Sequence, residues 1–269
     1  MLNYLLLVIN TMIIDFHTHL GKGDPWYKNT EREEEIYAKK AEDLIKDMNK
    51  NNVSFCVVNP NPRIPSRLIS ACFELANMIK NYKSKLIGFA WLDPRIDESV
   101  DILVKMVREN GFKGLKLHPV LNGYYPNNKV TFPLIEAAIK LNIPIYIHSG
   151  WGELGSVKYI AVLADNFPDA KIVIGHMVEE KCLDIAKKHE NVYIETSYTT
   201  YDKSLKAGIK KIEKAVNFVG SSKLVYGSDW PLGGGMKNEI RKIKLSRIKE
   251  DEKEKILFKN ALKILGMKI

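Results

Sequence analysis

The apolar positions of this chain fall in a repeating rhythm. A short β-branched run is followed by a longer stretch in which apolar residues recur at helical spacing. The short runs occupy residues 12–17, 53–59, 86–92, 114–118, 144–148, 171–176, 191–196 and 224–228. Within each run the apolar residues are nearly continuous, the pattern of a strand covered on both faces. The stretches between them carry helix punctuation: Leu134, Ala138 and Leu141 follow Thr131 as an N-cap and Pro133 in the first turn. A strand-to-strand spacing of about thirty residues is that of a strand, a crossover helix and the next parallel strand. Eight such units predict an α/β fold, a (β/α)8 TIM-type barrel with its chemistry at the C-terminal ends of the strands. Residues 237–269 supply the last helix and a terminal addition. A doubly wound open sheet is the alternative. It would carry a glycine-rich phosphate turn after the first strand, where Leu20-Gly21-Lys22-Gly23-Asp24-Pro25 offers charge and proline instead.

No low-complexity segment or Gly/Ser linker interrupts the 269 residues, so residues 12–269 read as a single domain. Residues 1–11 include Leu2, Leu5, Leu6, Leu7, Val8 and Ile9 but lack a basic flank and a cleavage site. They also fall short of the roughly 20 residues a membrane span needs. They read either as a start assigned upstream of Met12 or as a short appended strand or helix.

A net charge of +9 raises the question of nucleic acid. The excess is lysine dispersed along helical stretches, and in residues 237–263 it interleaves with Glu239, Glu250, Asp251, Glu252 and Glu254. Mixed, scattered charge focuses no field, so these are read as solvated helix faces. Cys56, Cys72 and Cys182 are odd in number and far apart, which excludes a disulfide framework and a cysteine-built zinc site. The expectation is a cytoplasmic protein that acts on a small molecule, with no nucleic-acid or membrane partner; a homodimer stays open.

Five of the six histidines fall at predicted strand ends: His17, His19, His118, His148 and His176; His189 lies at a helix end. In His17-Thr18-His19 the two side chains share one strand face with Cα atoms about 6.5 Å apart, close enough for the imidazoles to share one metal. Asp229 ends the eighth strand, which in a closed barrel abuts the first, so it belongs beside that pair. His148 lies across the mouth and His176 next around the ring. Lys116 and His118 share a face. If that face is inward, Lys116 is a carbamylated bridge between two metals or a cation for an anionic substrate; otherwise it pairs with a buried acid such as Asp15 or Glu195. His118 is either a substrate contact or part of a proline-linked turn. Asp15 reads as a supporting partner or half of a buried ion pair, and Glu195 as a hydrogen-bonding neighbour. Trp26, Tyr27, Trp151, Tyr198 and Tyr201 follow strands and could line a pocket for a flat substrate.

Taken in order, Ile14-Asp15-Phe16-His17-Thr18-His19, Gly114-Leu115-Lys116-Leu117-His118-Pro119, Ile147-His148-Ser149-Gly150, Ile174-Gly175-His176 and Tyr226-Gly227-Ser228-Asp229-Trp230-Pro231 resemble the amidohydrolase superfamily. The branch they resemble is the amidohydrolase-related one that includes aminocarboxymuconate-semialdehyde decarboxylase-like proteins. The resemblance implies a distorted barrel with one divalent metal ion, usually zinc. It matches His17, His19, His148 and Asp229 to the metal ligands and His176 to the catalytic histidine. TatD-like nucleases share H-x-H, but the lysine and histidine of the fourth strand count against them. The expected function is a metal-dependent hydrolase that uses metal-activated water on a small carboxylated, lactone or amide substrate. Asp229 would move the proton, His176 would steady the oxyanion, and Lys116, His118 and Trp151 would contact substrate. A metal-dependent nonoxidative decarboxylase is the alternative, and a catalytically inert metal-binding barrel the third reading.

Overall fold

Parallel pairing of strands that are almost wholly buried brings the two ends of the sheet together. The computed structural model describes residues 12–22, 38–61, 65–197 and 204–268. The predicted features in residues 1–11, and Trp26, Tyr27, Tyr198 and Tyr201, lie outside these. Strand β1 (Ile14–Lys22) meets a two-residue antiparallel strand, β2 (Ala38–Lys39), on one side. On the other it begins a parallel ladder through β3 (Phe55–Pro60), β4 (Leu86–Trp91), β5 (Gly114–Leu117), β6 (Ile145–His148), β7 (Ile172–Gly175), β8 (Val192–Glu195) and β9 (Leu224–Val225). Closure rests on single bonds. Phe16 N–H donates to the Tyr226 carbonyl at 2.9 Å and His19 N–H to the Trp230 carbonyl at 2.8 Å, with Thr18 bridged to Trp230. The eight parallel strands therefore form the predicted barrel.

The longer helices bury one stripe each against it. In α1 (Ala41–Asn51) the buried residues are Ala41, Leu44 and Met48, and in α3 (Ser99–Arg108), which follows α2 (Leu68–Ile79), they are Ser99, Leu103 and Met106. Around the ring follow a short α4 (Pro119–Asn122), α5 (Phe132–Lys140), α6 (Val157–Asn166), α7 (Lys181–Lys188) and α8 (Leu205–Val219). The terminal stretch holds α9 (Met236–Lys244), α10 (Glu250–Glu254) and α11 (Asn260–Leu265), the last two joined by a π-helical turn.

Four expectations are corrected. First, β1 starts later than predicted and runs on to Lys22, because β2 pairs with its end, so His17 and His19 sit within the strand. A register shift against β3 between Asp15 and Thr18 marks a bulge there. Second, the last strand is only two residues long, since Tyr226 N–H turns to the Ile256 carbonyl. Third, Thr131 bounds α5 without capping it: its hydroxyl donates to the Pro126 and Asn128 carbonyls. Fourth, the charges of residues 237–263 are not all solvated. Glu239 and Lys242 are a buried ion pair at 2.5 Å, with the lysine stem lying over Gly208 of α8.

Candidate metal centre

The mouth of the barrel is built from the ends of its strands, and most of its polar groups are shut away from water. His17 and His19 of β1 present their Nε2 atoms 3.0 Å apart. Asp229 Oδ1 lies 3.3 Å from each. All three side chains are buried. Asp229 reaches this position because the chain leaves β9 in a tight turn: its φ is 54°, and its carbonyl accepts from Leu232 and Gly233 N–H at 2.7 and 2.9 Å. His176, just past β7, is likewise left-handed at φ 66°. Such conformations cost about 1–2 kcal/mol for non-glycine residues. Two of them in one rim direct side chains where regular strands would not.

The other ring nitrogens have partners. His19 Nδ1 lies 3.2 Å from the Pro60 carbonyl, which only accepts, so Nδ1 carries a proton. His17 Nδ1 faces the Tyr146 hydroxyl at 2.7 Å and Glu195 Oε2 at 3.3 Å. Its Nε2 also faces Lys116 Nζ at 3.3 Å. Burial first, then the nearby Lys116, holds His17 well below the ordinary imidazole range. Burial does the same for His118 and His148 and brings His176 down to about 4, so these rings are neutral near pH 7.

His17, His19 and Asp229 thus form a group whose donor atoms all lie within 4.8 Å of one another. His148 is not part of that group. Its Nδ1 is 3.1 Å from His176 Nε2, its ring stacks on His118 at 3.8 Å, and its buried Nε2 has no hydrogen-bond partner among the described residues. Lys116 forms no ion pair with Asp15 or Glu195, contrary to one sequence reading. Its Nζ sits between His17 and the face of Tyr146, 3.9 Å from the ring centroid, and burial lowers it to about 7. His118 caps α4, its Nδ1 accepting from Leu121 N–H at 3.2 Å, and its ring is stacked between Trp91 and His148. Trp151 stands half out of the mouth at 48% exposure, 4.5 Å from the His148 ring.

Asp15 is no ion-pair member either. It accepts His17 N–H at 3.1 Å, Ser228 N–H at 2.9 Å and the Tyr226 hydroxyl at 3.2 Å, tying β1 to the turn that carries Asp229. Burial raises its carboxyl to about 7. Glu195 holds more than the sequence suggested: it accepts from Tyr146, Ser197 and the His176 N–H, besides facing His17. Burial lifts it to about 8 against the pull of the Tyr146 and Ser197 bonds; a cation beside His17 would lower it. Tyr146 was not foreseen, although strand alternation puts it on the face of His148. Asn59 at the end of β3 was also missed; its amide donates to the Thr18 carbonyl and its buried Oδ1 lacks a partner among the described residues.

Two glycines leave room for this cluster. A Cβ at Gly175 would strike the Tyr146 hydroxyl, and one at Gly227 the Glu195 carboxylate. Gly227→Ala is therefore expected to destabilise the protein by about 1–3 kcal/mol, the usual range for overpacking. Denaturant unfolding checks it, and an unchanged midpoint contradicts it.

Comparison with known proteins places this site in context. The family model described as amidohydrolase matches residues 14–267. Among solved structures, the fold matches a dihydroxybenzoic acid decarboxylase from Polaromonas sp. JS666 with bound manganese and 2-nitroresorcinol, at 16% identity over 94% of this chain and 96% of that one, TM-score 0.75. It also matches 5-carboxyvanillate decarboxylase from Novosphingobium aromaticivorans, again with manganese, at 16% identity over 95% and 96%, TM-score 0.74. A 4-oxalomesaconate hydratase from Rhodopseudomonas palustris matches at 17% identity over 95% and 96%, TM-score 0.71. At such identities the likeness speaks for the fold.

Proposed function

The chain belongs to the amidohydrolase family, and from that premise we propose a metal-dependent hydrolase acting on a small carboxylated, lactone or amide substrate. The observation that carries the reading is the meeting of two Nε2 atoms and a carboxylate oxygen 3.0–3.3 Å apart in a buried place. Each of these atoms has a lone pair to offer a shared cation when it carries no proton. With metal–ligand distances near 2.1 Å and tetrahedral angles, ligand atoms stand about 3.4 Å apart, close to what is seen. The three donors therefore fit a divalent ion, and His148 Nε2, outside that group and without a hydrogen-bond partner among the described residues, would turn toward it as the fourth. Imidazole-rich sets suit zinc. Manganese is what the similar decarboxylase structures hold.

A divalent ion bound there would polarise a substrate oxygen and make nearby water more acidic. The protein's own part is proton transfer and charge placement. Asp229 accepts a proton from the attacking water and returns it to the leaving group. His176 steadies developing negative charge, and Lys116 attracts an anionic substrate group into a mouth walled by Trp91, His118 and Trp151. A second reading, nonoxidative decarboxylation, draws support from the decarboxylases that share the fold; a carboxylate beside the buried Lys116 would raise that lysine back toward its charged form. No helix among the described residues is long and apolar enough to cross a membrane. The three buried free thiols suit a reducing compartment such as the cytoplasm.

Chelation tests the proposal. Dialysis against a chelator is expected to abolish turnover of whichever carboxylate, lactone or amide in a substrate panel is active, and Zn2+ to restore it. Released CO2 assigns decarboxylation, and oxygen incorporated from labelled water assigns hydrolysis. Full turnover by metal-free protein contradicts both readings.

A further inference from the structure

One carboxylate lies behind most of the histidines of this site. Glu195 Oε2 is 2.8 Å from the Tyr146 hydroxyl, 2.8 Å from Ser197 Oγ, and 3.3 Å from both the His176 N–H and His17 Nδ1; its Oε1 takes the Ser197 N–H. Both carboxyl oxygens accept from a backbone N–H, and as a carboxylate, its form above about pH 8 or beside a bound cation, Glu195 accepts from every neighbour. The polarity of each neighbour then follows. Tyr146 donates to Glu195 and accepts at 2.7 Å from His17, which must carry its proton on Nδ1. Ser197 donates to Glu195 and accepts at 2.7 Å from His176 Nδ1–H. His176 Nε2 is left as an acceptor, and His148 Nδ1, 3.1 Å away, must donate to it. The last atom of this chain is His148 Nε2, buried, bare and without a partner among the described residues.

We propose that Glu195 is a positioning residue that, through Tyr146 on one arm and Ser197 then His176 on the other, fixes the tautomers of His17, His176 and His148 so that the Nε2 atoms of His17 and His148 are bare ligands. This rests on the metal-centre reading above. His17, His176 and Glu195 also satisfy the spacing of a cation site. The Tyr146 hydroxyl, within 2.8 Å of both His17 Nδ1 and Glu195 Oε2, fills that space, which favours a hydrogen-bonded support over a second ion. Carboxylates behind metal-bound imidazoles hold ring orientation and tautomer in this way.

The test is two-armed. Long-range 15N–1H correlation spectra of the metal-free, histidine-labelled full chain at pH 9, where Glu195 is a carboxylate, report which ring nitrogen carries each proton. Wild type is expected to show Nδ1–H for His17, His148 and His176. Ser197→Ala should release His176 and His148 into mixed tautomers while leaving His17 fixed, a split that general loosening of the barrel would not produce. Glu195→Gln should release His17 as well and weaken Zn2+ binding by about 10–100-fold. Nε2–H at His148 or His176 in wild type, or unaltered tautomers in Ser197→Ala, overturns the proposal. Wild-type protein that shows these tautomers but takes up no Zn2+ overturns the metal-centre reading instead.

Discussion

Replacing Asp229 with asparagine is expected to lower kcat/KM by about 10²–10⁴-fold, the scale on which a positioned proton-transfer group acts. The substitution keeps the shape and one acceptor oxygen but removes the charge and the ability to take a proton. Asparagine tolerates the left-handed conformation that Asp229 adopts at φ 54°, so the turn closed by Leu232 and Gly233 should survive. Metal content should be partly retained, because His17, His19 and His148 are untouched. Kinetics on the substrate found in the panel, paired with elemental analysis, separate the two effects. An Asp229→Asn enzyme with full activity removes Asp229 from proton transfer.

The second large effect is on stability. Asp15 is fully buried and satisfies two backbone N–H groups and the Tyr226 hydroxyl where β1 meets the turn after β9. That seam has few other bonds: Phe16 to Tyr226, His19 to Trp230 and the Thr18 bridge. Asp15→Ala leaves the His17 and Ser228 N–H groups buried and unpaired, each at about 1–3 kcal/mol. A loss of about 3 kcal/mol follows, and at about 2–4 °C per kcal/mol for a domain of this size Tm should fall by about 6–12 °C. Asp15→Asn, which keeps an acceptor oxygen, should lose less. Thermal unfolding followed by circular dichroism measures both, and an Asp15→Ala Tm within 2 °C of wild type, set against the cost of about 1–3 kcal/mol per unpaired group, contradicts this role.

How far the sequence discloses this architecture depends on which physical rule places each residue. Strand and helix order follow from hydrophobic periodicity, and closure then forces the end of the last strand against β1, which is why Asp229 was legible beside His17 and His19. Alternation put Lys116 and His118 on one face and left open whether it pointed inward. It gave no means of choosing Lys116's partner, because Asp15 and Glu195 are already engaged by groups that only rotamers reveal. The positions of His176 and Asp229 depend on left-handed backbone that no strand pattern encodes. Likewise the stacking of His148 on His118, and its separation from the group of His17, His19 and Asp229, arises from side-chain packing across three strands. Glu195 looked like an ordinary hydrogen-bonding neighbour because its partners come from β1, β6, β7 and the end of β8, distant in sequence.

The most direct measurement is anomalous diffraction at a metal absorption edge from crystals grown with Zn2+. The account predicts one peak per chain, about 2.0–2.2 Å from His17 Nε2, His19 Nε2 and an Asp229 oxygen, with His148 Nε2 turned toward it. No peak among those atoms, or a peak seated between His17, His176 and Glu195, would contradict it.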